Sequence, residues 1–362
     1  MIKHAYIHIP FCKRKCHYCS FVSGIDIKEQ FAYINALKQE IKHKYKNEEL
    51  KTIYFGGGTP SLVESCLLKE VLELFSFSQE SEITIEVNPE SATLEKLIAI
   101  KEIGFNRISL GVQTFSDEIL KLIGRKHSEE TIYNAIKNIK QIGFKNVSID
   151  LIYGLPNQTK ELLENDLKKS LSLDIQHIST YGLKIEENSY FGKHTPNNLP
   201  NDEQQAEMFL FLCDFLKQND FEHYEISNFA KRGFNSNHNC AYWKNKNYYG
   251  FGLNASGYEG NIRYRNSSDF QEYILNPLKR EEEEILTTQE TMENEIFLAL
   301  RLKEGINIKE INKKYSIDFE NKYKKIIQKY KVLNLLEINS EYCALTENGI
   351  LLSNNIMSEF LD

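Results

Sequence analysis

Three cysteines near the start of the chain have the residue type and the spacing to bind a metal centre. Cys12, Cys16 and Cys19 follow a short apolar run, Ala5 to Ile9, which predicts a strand. Pro10 ends that strand, because proline donates no hydrogen bond to a sheet. The cysteines are therefore expected on a loop, where closely spaced thiolates can converge on one centre. Thiolates are soft ligands that suit zinc or an iron–sulfur cluster.

The number of cysteines helps to distinguish these two centres. A structural zinc ion normally has four protein ligands, and His17 is the candidate for the fourth. A [4Fe–4S] cluster is usually held by cysteine thiolates, so three of them would leave one iron open to another ligand. The tight C-x3-C-x2-C spacing favours the cluster over zinc and over three unrelated buried cysteines.

The first half of the sequence alternates short apolar segments with amphipathic ones, as parallel α/β folds do. The apolar segments predict six strands, at residues 5–9, 51–55, 82–87, 107–112, 146–153 and 177–183. Parallel strands joined by helices form right-handed crossovers. Six such steps, rather than eight, predict a partial (β/α)6 barrel of the TIM type that stays open.

Glycines and polar residues follow at the ends of these strands, where barrel folds place their functional groups. The segment Gly56-Gly57-Gly58-Thr59-Pro60 could bring the backbone close to a polar ligand, because glycine has no Cβ. Glu86 ends the third strand, and Gln113 follows the fourth. Glu86 could bind a ribose hydroxyl or an ammonium group; the alternative is a solvated acid at a strand end.

An acid and an arginine complete this set of polar residues. Asp150 lies inside the apolar fifth strand, and a buried acid needs a partner. Arg125 lies between the fourth and fifth strands, and its guanidinium can form a bidentate hydrogen-bonded pair with a carboxylate. We therefore expect either a ligand or Arg125 next to Asp150.

The composition is that of a globular protein of about two domains. The 362 residues carry a formal net charge of −7, which argues against a nucleic-acid surface as the main function. The first residues lead directly into a strand, so no signal or transit peptide is expected. Seven cysteines in a chain of this length fit a reducing cytosol, and a cytoplasmic location is expected.

Three segments are expected along the chain. Residues 1–184 predict the barrel core, and residues 185–284 predict an extension of it that is rich in aromatic residues and glycine. The acidic run from Glu281 to Glu284 is interpreted as a boundary. Residues 285–362 predict a mainly helical, winged-helix-like domain. Because this last segment is not strongly basic, a docking or lid role is favoured over DNA binding.

The cysteine pattern and the GGGTP segment together resemble the radical S-adenosylmethionine (SAM) superfamily. In that superfamily the open iron of the cluster chelates SAM, and an electron from the cluster splits SAM into a deoxyadenosyl radical. The resemblance implies that the three cysteines hold a [4Fe–4S] cluster. It also implies a SAM site that is formed by a wider set of residues: Tyr6, Tyr18, Gly57, Gly58, Thr59, Glu86, Gln113, Arg125 and Asp150.

The whole series is similar to the oxygen-independent coproporphyrinogen III oxidase family and to its HemW branch. Two departures from the oxidase pattern favour HemW. Phe21 stands where the oxidase has a fourth cysteine, and the long N-terminal arm of the oxidase is missing. The segment His238-Asn239-Cys240-Ala241-Tyr242-Trp243 is similar to the HNxxYW motif of HemW proteins, which bind heme.

His238 is accordingly a candidate axial ligand of heme iron, with the neighbouring aromatic rings packed on the porphyrin. The alternative is that His238 is a hydrogen-bonded structural residue and that the aromatic rings belong to the core.

The resemblance thus implies a heme chaperone that binds a [4Fe–4S] cluster, SAM and heme, and that passes heme to an acceptor protein. An electron donor to the cluster is a second expected partner, and nucleic acid is not expected as one. Membrane association is expected to be transient and to occur through the acceptor. Coproporphyrinogen oxidase activity is not expected; that oxidase, or another radical SAM enzyme, is the alternative.

Overall fold

Six parallel strands form the centre of the molecule, whose computed structural model describes residues 1–361. The strands are β1 (His4–Ile9), β2 (Leu50–Gly57), β3 (Phe77–Val87), β4 (Arg107–Gln113), β5 (Asn146–Tyr153) and β6 (His177–Gly182). They follow one another in sequence order across the sheet, and each neighbouring pair is parallel. The predicted (β/α)6 architecture is confirmed.

Helices connect successive strands of this sheet. They are α1 (Gln30–Lys44), α2 (Ser65–Leu72), α3 (Leu94–Ile103), α4 (Asp117–Leu122), α5 (Glu129–Gln141) and α6 (Lys160–Ser172). Hydroxyl side chains accept hydrogen bonds from the first turns of four of them: Thr93 caps α3, Ser116 caps α4, Ser128 caps α5 and Thr159 caps α6. Such caps fix where each helix begins after its strand.

The two faces of the strands differ in chemistry. On β4 the buried apolar residues Ile108 and Leu110 alternate with Arg107 and Ser109, which are buried as well. Because neighbouring side chains in a strand point to opposite faces, one face of β4 is apolar and the other is polar. The apolar face belongs to the large buried cluster that also contains residues of the helices, such as Ile136 of α5. The polar face lines the inside of the partial barrel.

The segment 185–284 extends the same sheet at both ends. It contains α7 (Tyr190–Lys193), α8 (Asp202–Lys217), β7 (Glu222–Glu225), β8 (Asn228–Ala230), α9 (Asn237–Trp243) and β9 (Tyr249–Phe251). At one edge of the sheet, β9 pairs in parallel with β1. At the other edge, β8 pairs antiparallel with β6, and β7 pairs antiparallel with β8. The sequence did not predict these three strands, because each has only three or four residues and two of them pair with strands distant in sequence.

A small antiparallel sheet completes this segment. It consists of β10 (Ser256–Glu259), β11 (Ile262–Asn266) and, after α10 (Phe270–Leu275), β12 (Arg280–Ile285). The acidic run that was interpreted as a boundary lies inside β12. Two of its glutamates form ion pairs with arginines of the sheet: Glu282 with Arg265, which lies opposite it, and Glu283 with Arg280. Opposite charges at facing positions stabilise such a pair, which explains why an acidic run forms a strand.

The remaining residues form a helical unit with a second small sheet. Its elements are α11 (Thr288–Ala299), β13 (Ile306–Asn307), α12 (Ile308–Tyr315), α13 (Phe319–Lys322), α14 (Lys324–Val332), β14 (Leu336–Ile338), β15 (Tyr342–Leu345), α15 (Glu347–Leu351) and α16 (Ser353–Ser358). Residues 319–332 form two helices, separated at Tyr323, where the backbone leaves the helical conformation. The divisions at residues 184 and 284 stay predictions. Among residues 1–361, no helix is long and apolar enough to cross a membrane.

Candidate functional site

The cysteine loop leaves β1 and is fixed to two other parts of the chain. The backbone N–H groups of Gly24 and Ile25 donate to the carbonyl oxygen of Pro10, which closes the loop on itself. The N–H of His17 donates to the carbonyl of Ile123, just after α4. These bonds hold the loop over the carboxyl ends of the strands.

His17 has a structural role in this arrangement. Its Nδ1 lies 2.9 Å from the carbonyl oxygen of Leu122, and its ring packs on Tyr190, with 4.4 Å between the ring centroids. The opposite side of the ring faces Gly124, where an added Cβ would come within 2.9 Å of it. His17 is therefore held by α4 and α7, and this gives the zinc interpretation no support.

The three cysteines line one cleft of about 320 Å³ at the strand ends. The thiols of Cys12, Cys16 and Cys19 are half-buried and form no disulfide. Burial raises the pKa of the Cys12 and Cys16 thiols. Within residues 1–361, no three His, Cys, Asp or Glu side chains come together as the ligands of a single metal ion do. A four-iron cluster does not require such convergence, because each thiolate binds a different iron.

The glycine segment brings the end of β2 against the cysteine loop. Gly57 has a φ of 109°, in the left-handed region that favours glycine. A Cβ added to Gly58 would lie 2.6 Å from the carbonyl oxygen of Phe11 and 3.0 Å from the Cys12 sulfur. Gly58 thus permits the close approach of the cysteine loop, whereas the sequence suggested close approach of a ligand. Thr59 follows, with its hydroxyl 3.7 Å from the Cys12 sulfur.

Glu86 ends β3 and faces the same cleft. Its Oε1 accepts a hydrogen bond from the Tyr54 hydroxyl at 2.9 Å, and its Oε2 accepts one from the Gly57 N–H at 3.1 Å. Burial raises the pKa of Glu86 to about 7, and the nearby Asp150 carboxyl adds to the rise. The acid is therefore held in place by two donors, and its charge state depends on what occupies the cleft.

A ligand remains the expected partner of Asp150, because Arg125 lines the same cleft but forms no hydrogen bond or ion pair with it in the described part of the chain. The Nη1 of Arg125 donates to the Asn88 side-chain oxygen at 2.7 Å and its Nη2 donates to the Tyr18 hydroxyl at 2.8 Å. Asp150 instead accepts a hydrogen bond from the Ser109 hydroxyl, 3.1 Å from Oδ1. The reason is that both terminal nitrogens of the guanidinium are already occupied. The Nε of Arg125 is buried and has no hydrogen-bond partner in the described part of the chain.

Gln113 reaches the cleft through an unusual backbone conformation. Its φ is 71°, a region that residues other than glycine rarely adopt, and the register of β4 with β5 shifts between Gly111 and Gln113. Strained backbone of this kind is concentrated at functional sites. The bulge places the side chain among the residues that line the cleft.

The structure brings nearly all of the predicted SAM residues together, with one exception. Tyr6 lies below the cleft, where its hydroxyl is 3.0 Å from His8 Nδ1 and its ring stacks near Tyr54. Residues that the sequence did not single out also line the cleft, among them Tyr54, Asn88, Ser109 and Tyr181. Their positions gave an unequal signal: Asn88 follows the predicted third strand and Tyr54 is next to the end of the second, whereas Ser109 and Tyr181 lie inside predicted strands.

The HNxxYW-type segment forms α9, which lies under the opposite ends of the strands from this cleft. The backbone N–H groups of Asn237 and His238 both donate to the Glu82 carboxylate at 3.0 Å. His238 is 1% exposed. Its Nδ1 is 2.7 Å from the Thr52 hydroxyl oxygen, and its Nε2 is 2.8 Å from the Tyr242 hydroxyl oxygen. Both ring nitrogens are therefore engaged inside the protein, and burial holds the pKa of His238 well below its usual value.

Comparisons with known proteins identify the family. The model of the radical SAM superfamily matches residues 6–169, and the model of the HemN C-terminal domain matches residues 286–352. "Heme chaperone HemW" of Lactococcus lactis is 38% identical over 367 residues, which span 99% of this chain and 97% of that protein. The protein of the same name from Bacillus subtilis is 38% identical over 377 residues, 99% of both chains. The chain belongs to the HemW family.

Superposition on a solved structure identifies the fold of this HemW-family chain. Coproporphyrinogen III oxidase (HemN) from Escherichia coli, described as a radical SAM enzyme, superposes with a TM-score of 0.88. The match covers 99% of this chain and 90% of that one, at 24% sequence identity. The HemW-family chain therefore has the radical SAM fold, and membership of that superfamily implies a [4Fe–4S] cluster and SAM. The cleft fits both groups, since its lining includes three soft thiol ligands, the backbone of Gly57 and Gly58, and Arg125, whose buried Nε has no partner in the described part of the chain.

Proposed function

We propose that this chain is a heme chaperone, which binds a [4Fe–4S] cluster, SAM and heme and passes heme to an acceptor protein. The proposal rests on one observation: at the strand ends, three thiols, a glycine-lined strand end, a carboxylate and an arginine face one cleft. The name of the relatives, Heme chaperone HemW, supports the proposed handling of heme.

The residues of the cleft have distinct proposed roles. Cys12, Cys16 and Cys19 hold the cluster, and SAM lies between it and the strand ends. The methionine end of SAM lies against the glycine segment, and the Glu86 carboxylate binds its ribose hydroxyls or its ammonium group. The other proposed contacts come from Tyr18, Gln113, Arg125 and Asp150, which all line the cleft. When bound, the cluster supplies the electron that cleaves SAM.

The oxidase is the alternative activity, and the cysteine loop argues against it. Phe21 stands at the mouth of the cleft with 65% of its surface exposed, at the position where the oxidase pattern has a fourth cysteine. An exposed aromatic ring cannot take over the role of a thiol. We propose that the protein handles a tetrapyrrole without decarboxylating it.

The proposed partners follow from the surface around the cluster loop. Lys13, Arg14 and Lys15 are exposed and form no ion pairs within residues 1–361, although the whole chain has a net charge of −7. A basic patch beside the cluster favours docking of an acidic electron donor. We place the protein in the cytoplasm, with transient membrane association only through the heme acceptor.

The test is anaerobic reconstitution of the cluster, followed by heme titration and an assay for coproporphyrinogen turnover. We expect one heme per chain and no decarboxylated product. The Cys12→Ala, Cys16→Ala, Cys19→Ala triple variant should lose the cluster and keep heme binding, because α9 lies apart from the cysteine loop. Conversion of coproporphyrinogen to protoporphyrinogen by the parent protein would establish the oxidase instead.

A further inference from the structure

A second cleft, of about 490 Å³, lies where α9 meets the small sheet of β10, β11 and β12. Volumes of this order are typical of ligand pockets. Five of its lining residues are aromatic, Tyr242, Trp243, Tyr248, Tyr258 and Tyr264, and five are charged, Lys246, Arg263, Arg265, Glu282 and Glu284. The HNxxYW-type segment contributes two of these rings. The cleft therefore has the character of a site for a flat, largely apolar ligand with a few polar groups.

One row of side chains crosses the floor of this cleft. Tyr248 and Tyr258 exchange backbone hydrogen bonds, at 2.8 and 2.9 Å, and so lie directly opposite each other. Tyr258 in turn pairs with Arg263 on β11, and Arg263 pairs with Glu284 on β12. Directly opposed residues in antiparallel strands project to the same face of the sheet. The two phenols and the guanidinium are thus neighbours on one surface.

The cations of the cleft are not all neutralised by its acids. Arg265 forms a two-point ion pair with Glu282. Arg263 has no hydrogen bond or ion pair in the described part of the chain, although Glu284 stands opposite it. Its guanidinium lies 5.8 Å from the centroid of the Tyr258 ring. Lys246, exposed at the rim, is likewise free of ion pairs within residues 1–361. Two cations are therefore available for an anionic ligand.

The Tyr248 hydroxyl is the best-placed iron ligand in the cleft. It has no hydrogen-bond partner among residues 1–361, whereas the Tyr242 hydroxyl is bound to His238. The Tyr242 ring packs against Tyr248 at 4.5 Å between centroids and restricts how the phenol can turn. Burial raises the pKa of Tyr248, and the positive charge of Arg263 opposes that rise. Tyrosine is an established protein ligand of heme iron.

We propose that this cleft binds ferric heme, with the phenolate oxygen of Tyr248 as the axial ligand of the iron and with Arg263 beside it. The propionates lie toward the rim, next to Lys246, and Trp243 packs on the macrocycle. As the iron–oxygen bond forms, the phenol releases its proton to water, and the iron stays ferric. His238 then acts as a positioning residue, because it holds the Tyr242 ring against Tyr248. The inference rests on the proposed heme-chaperone function.

The indole of Trp243 offers an independent reason to expect a ligand here. Its Nε1 is buried and has no hydrogen-bond partner in the described chain. One face of the ring is covered by the Arg301 guanidinium, 4.4 Å from its centroid. Buried donors in folded proteins normally have a partner, so this one is available to a polar group of a bound molecule.

The experiment is a titration of the reconstituted full chain with ferric heme, followed by optical and EPR spectroscopy. The parent should give a high-spin ferric spectrum with a phenolate-to-iron charge-transfer band. Tyr248→Phe should lose that band and bind ferric heme about tenfold more weakly, a difference of about 1.4 kcal/mol. Tyr133→Phe, on α5 and outside both clefts, is the matched control and should keep both the band and the affinity.

A titration with metal-free protoporphyrin distinguishes ligation of the iron from packing of side chains on the macrocycle. Because it has no iron, it should bind the parent and Tyr248→Phe equally, and both Trp243→Leu and Arg263→Gln more weakly. A parent-like band in Tyr248→Phe would overturn the inference while leaving the chaperone function intact. So would a parent spectrum typical of imidazole ligation that His238→Gln abolishes. A parent chain that binds no heme would instead overturn the proposed function itself.

Discussion

At the scale of single residues, Glu86 is the group whose chemistry depends most on its surroundings. Its pKa of about 7 lies above the ordinary value because burial disfavours the charged carboxylate, and Asp150 adds repulsion. The ammonium group of SAM would favour the ionised form. SAM affinity should therefore increase as pH rises through 7, and we expect it to be about tenfold higher at pH 8 than at pH 6. Equilibrium dialysis of reconstituted protein would measure this.

The raised pKa of Glu86 also affects the free energy of unfolding. A carboxyl whose pKa is raised in the folded state favours folding while it is protonated, and that contribution is lost as pH rises through 7. Glu86→Gln should therefore flatten the pH dependence of both SAM affinity and unfolding free energy between pH 5 and 8. A variant that keeps the full pH dependence of SAM affinity would exclude Glu86 as its source.

Gly58 allows a second test at this scale. An added Cβ would collide with the Phe11 carbonyl oxygen and the Cys12 sulfur, so Gly58→Ala should displace the cysteine loop. We expect less iron and sulfide per chain after reconstitution, with far-UV circular dichroism unchanged. Gly260→Ala is the control: its φ of 65° makes that substitution strained as well, but an added Cβ there meets nothing within 4 Å, so the iron content should be unchanged. Full iron content in Gly58→Ala would show that the loop adapts.

At the scale of elements, Glu82 is the contact that fixes α9 under the strands. Its carboxylate accepts the N–H groups of Asn237 and His238, two of the donors that a helix start leaves unpaired. Glu82→Ala should lower the free energy of unfolding by about 1–2 kcal/mol, as the loss of a helix cap does. Denaturant unfolding measures this change, and Glu80→Ala, at an exposed position of the same strand, should have little effect. Equal losses in the two variants would mean that the cap contributes nothing.

The elements also show where sequence reasoning succeeds and where it stops. The six parallel strands were predictable because each is a short apolar run that ends in proline, glycine or a polar residue. It was also predictable that one cleft at the strand ends would contain the cysteines, Glu86, Gln113, Arg125 and Asp150. Each of these residues lies in one of the strands or in the segment that follows it. Strand β9 was not, because its three residues pair with β1, more than two hundred residues earlier in the chain.

The hydrogen-bond partners of individual side chains could not be predicted from the sequence either. Either a ligand or Arg125 was expected beside Asp150, and the structure shows that Asn88 and Tyr18 occupy the guanidinium of Arg125. The spacing of residues in a sequence does not reveal which of several acceptors lies nearest in space. His238 was a candidate iron ligand from its motif, and only the fold shows that Thr52 and Tyr242 occupy both of its nitrogens.

At the scale of the whole molecule, the strands of one sheet separate two clefts of different chemistry. The cleft at their carboxyl ends contains thiols, glycines and acids, and the cleft beyond α9 contains aromatic rings and free cations. This arrangement supports the proposal that the cluster and heme bind at separate places. Every proposed role at the strand ends depends on the cluster.

The most direct measurement is the EPR spectrum of the anaerobically reconstituted and reduced protein, with and without SAM. The account predicts about four iron and four sulfide per chain, and a cluster signal that changes when SAM occupies the open iron. The Cys12→Ala, Cys16→Ala, Cys19→Ala variant should show neither metal nor signal. Stoichiometric zinc in place of iron, or a cluster signal that SAM does not alter, would contradict the account.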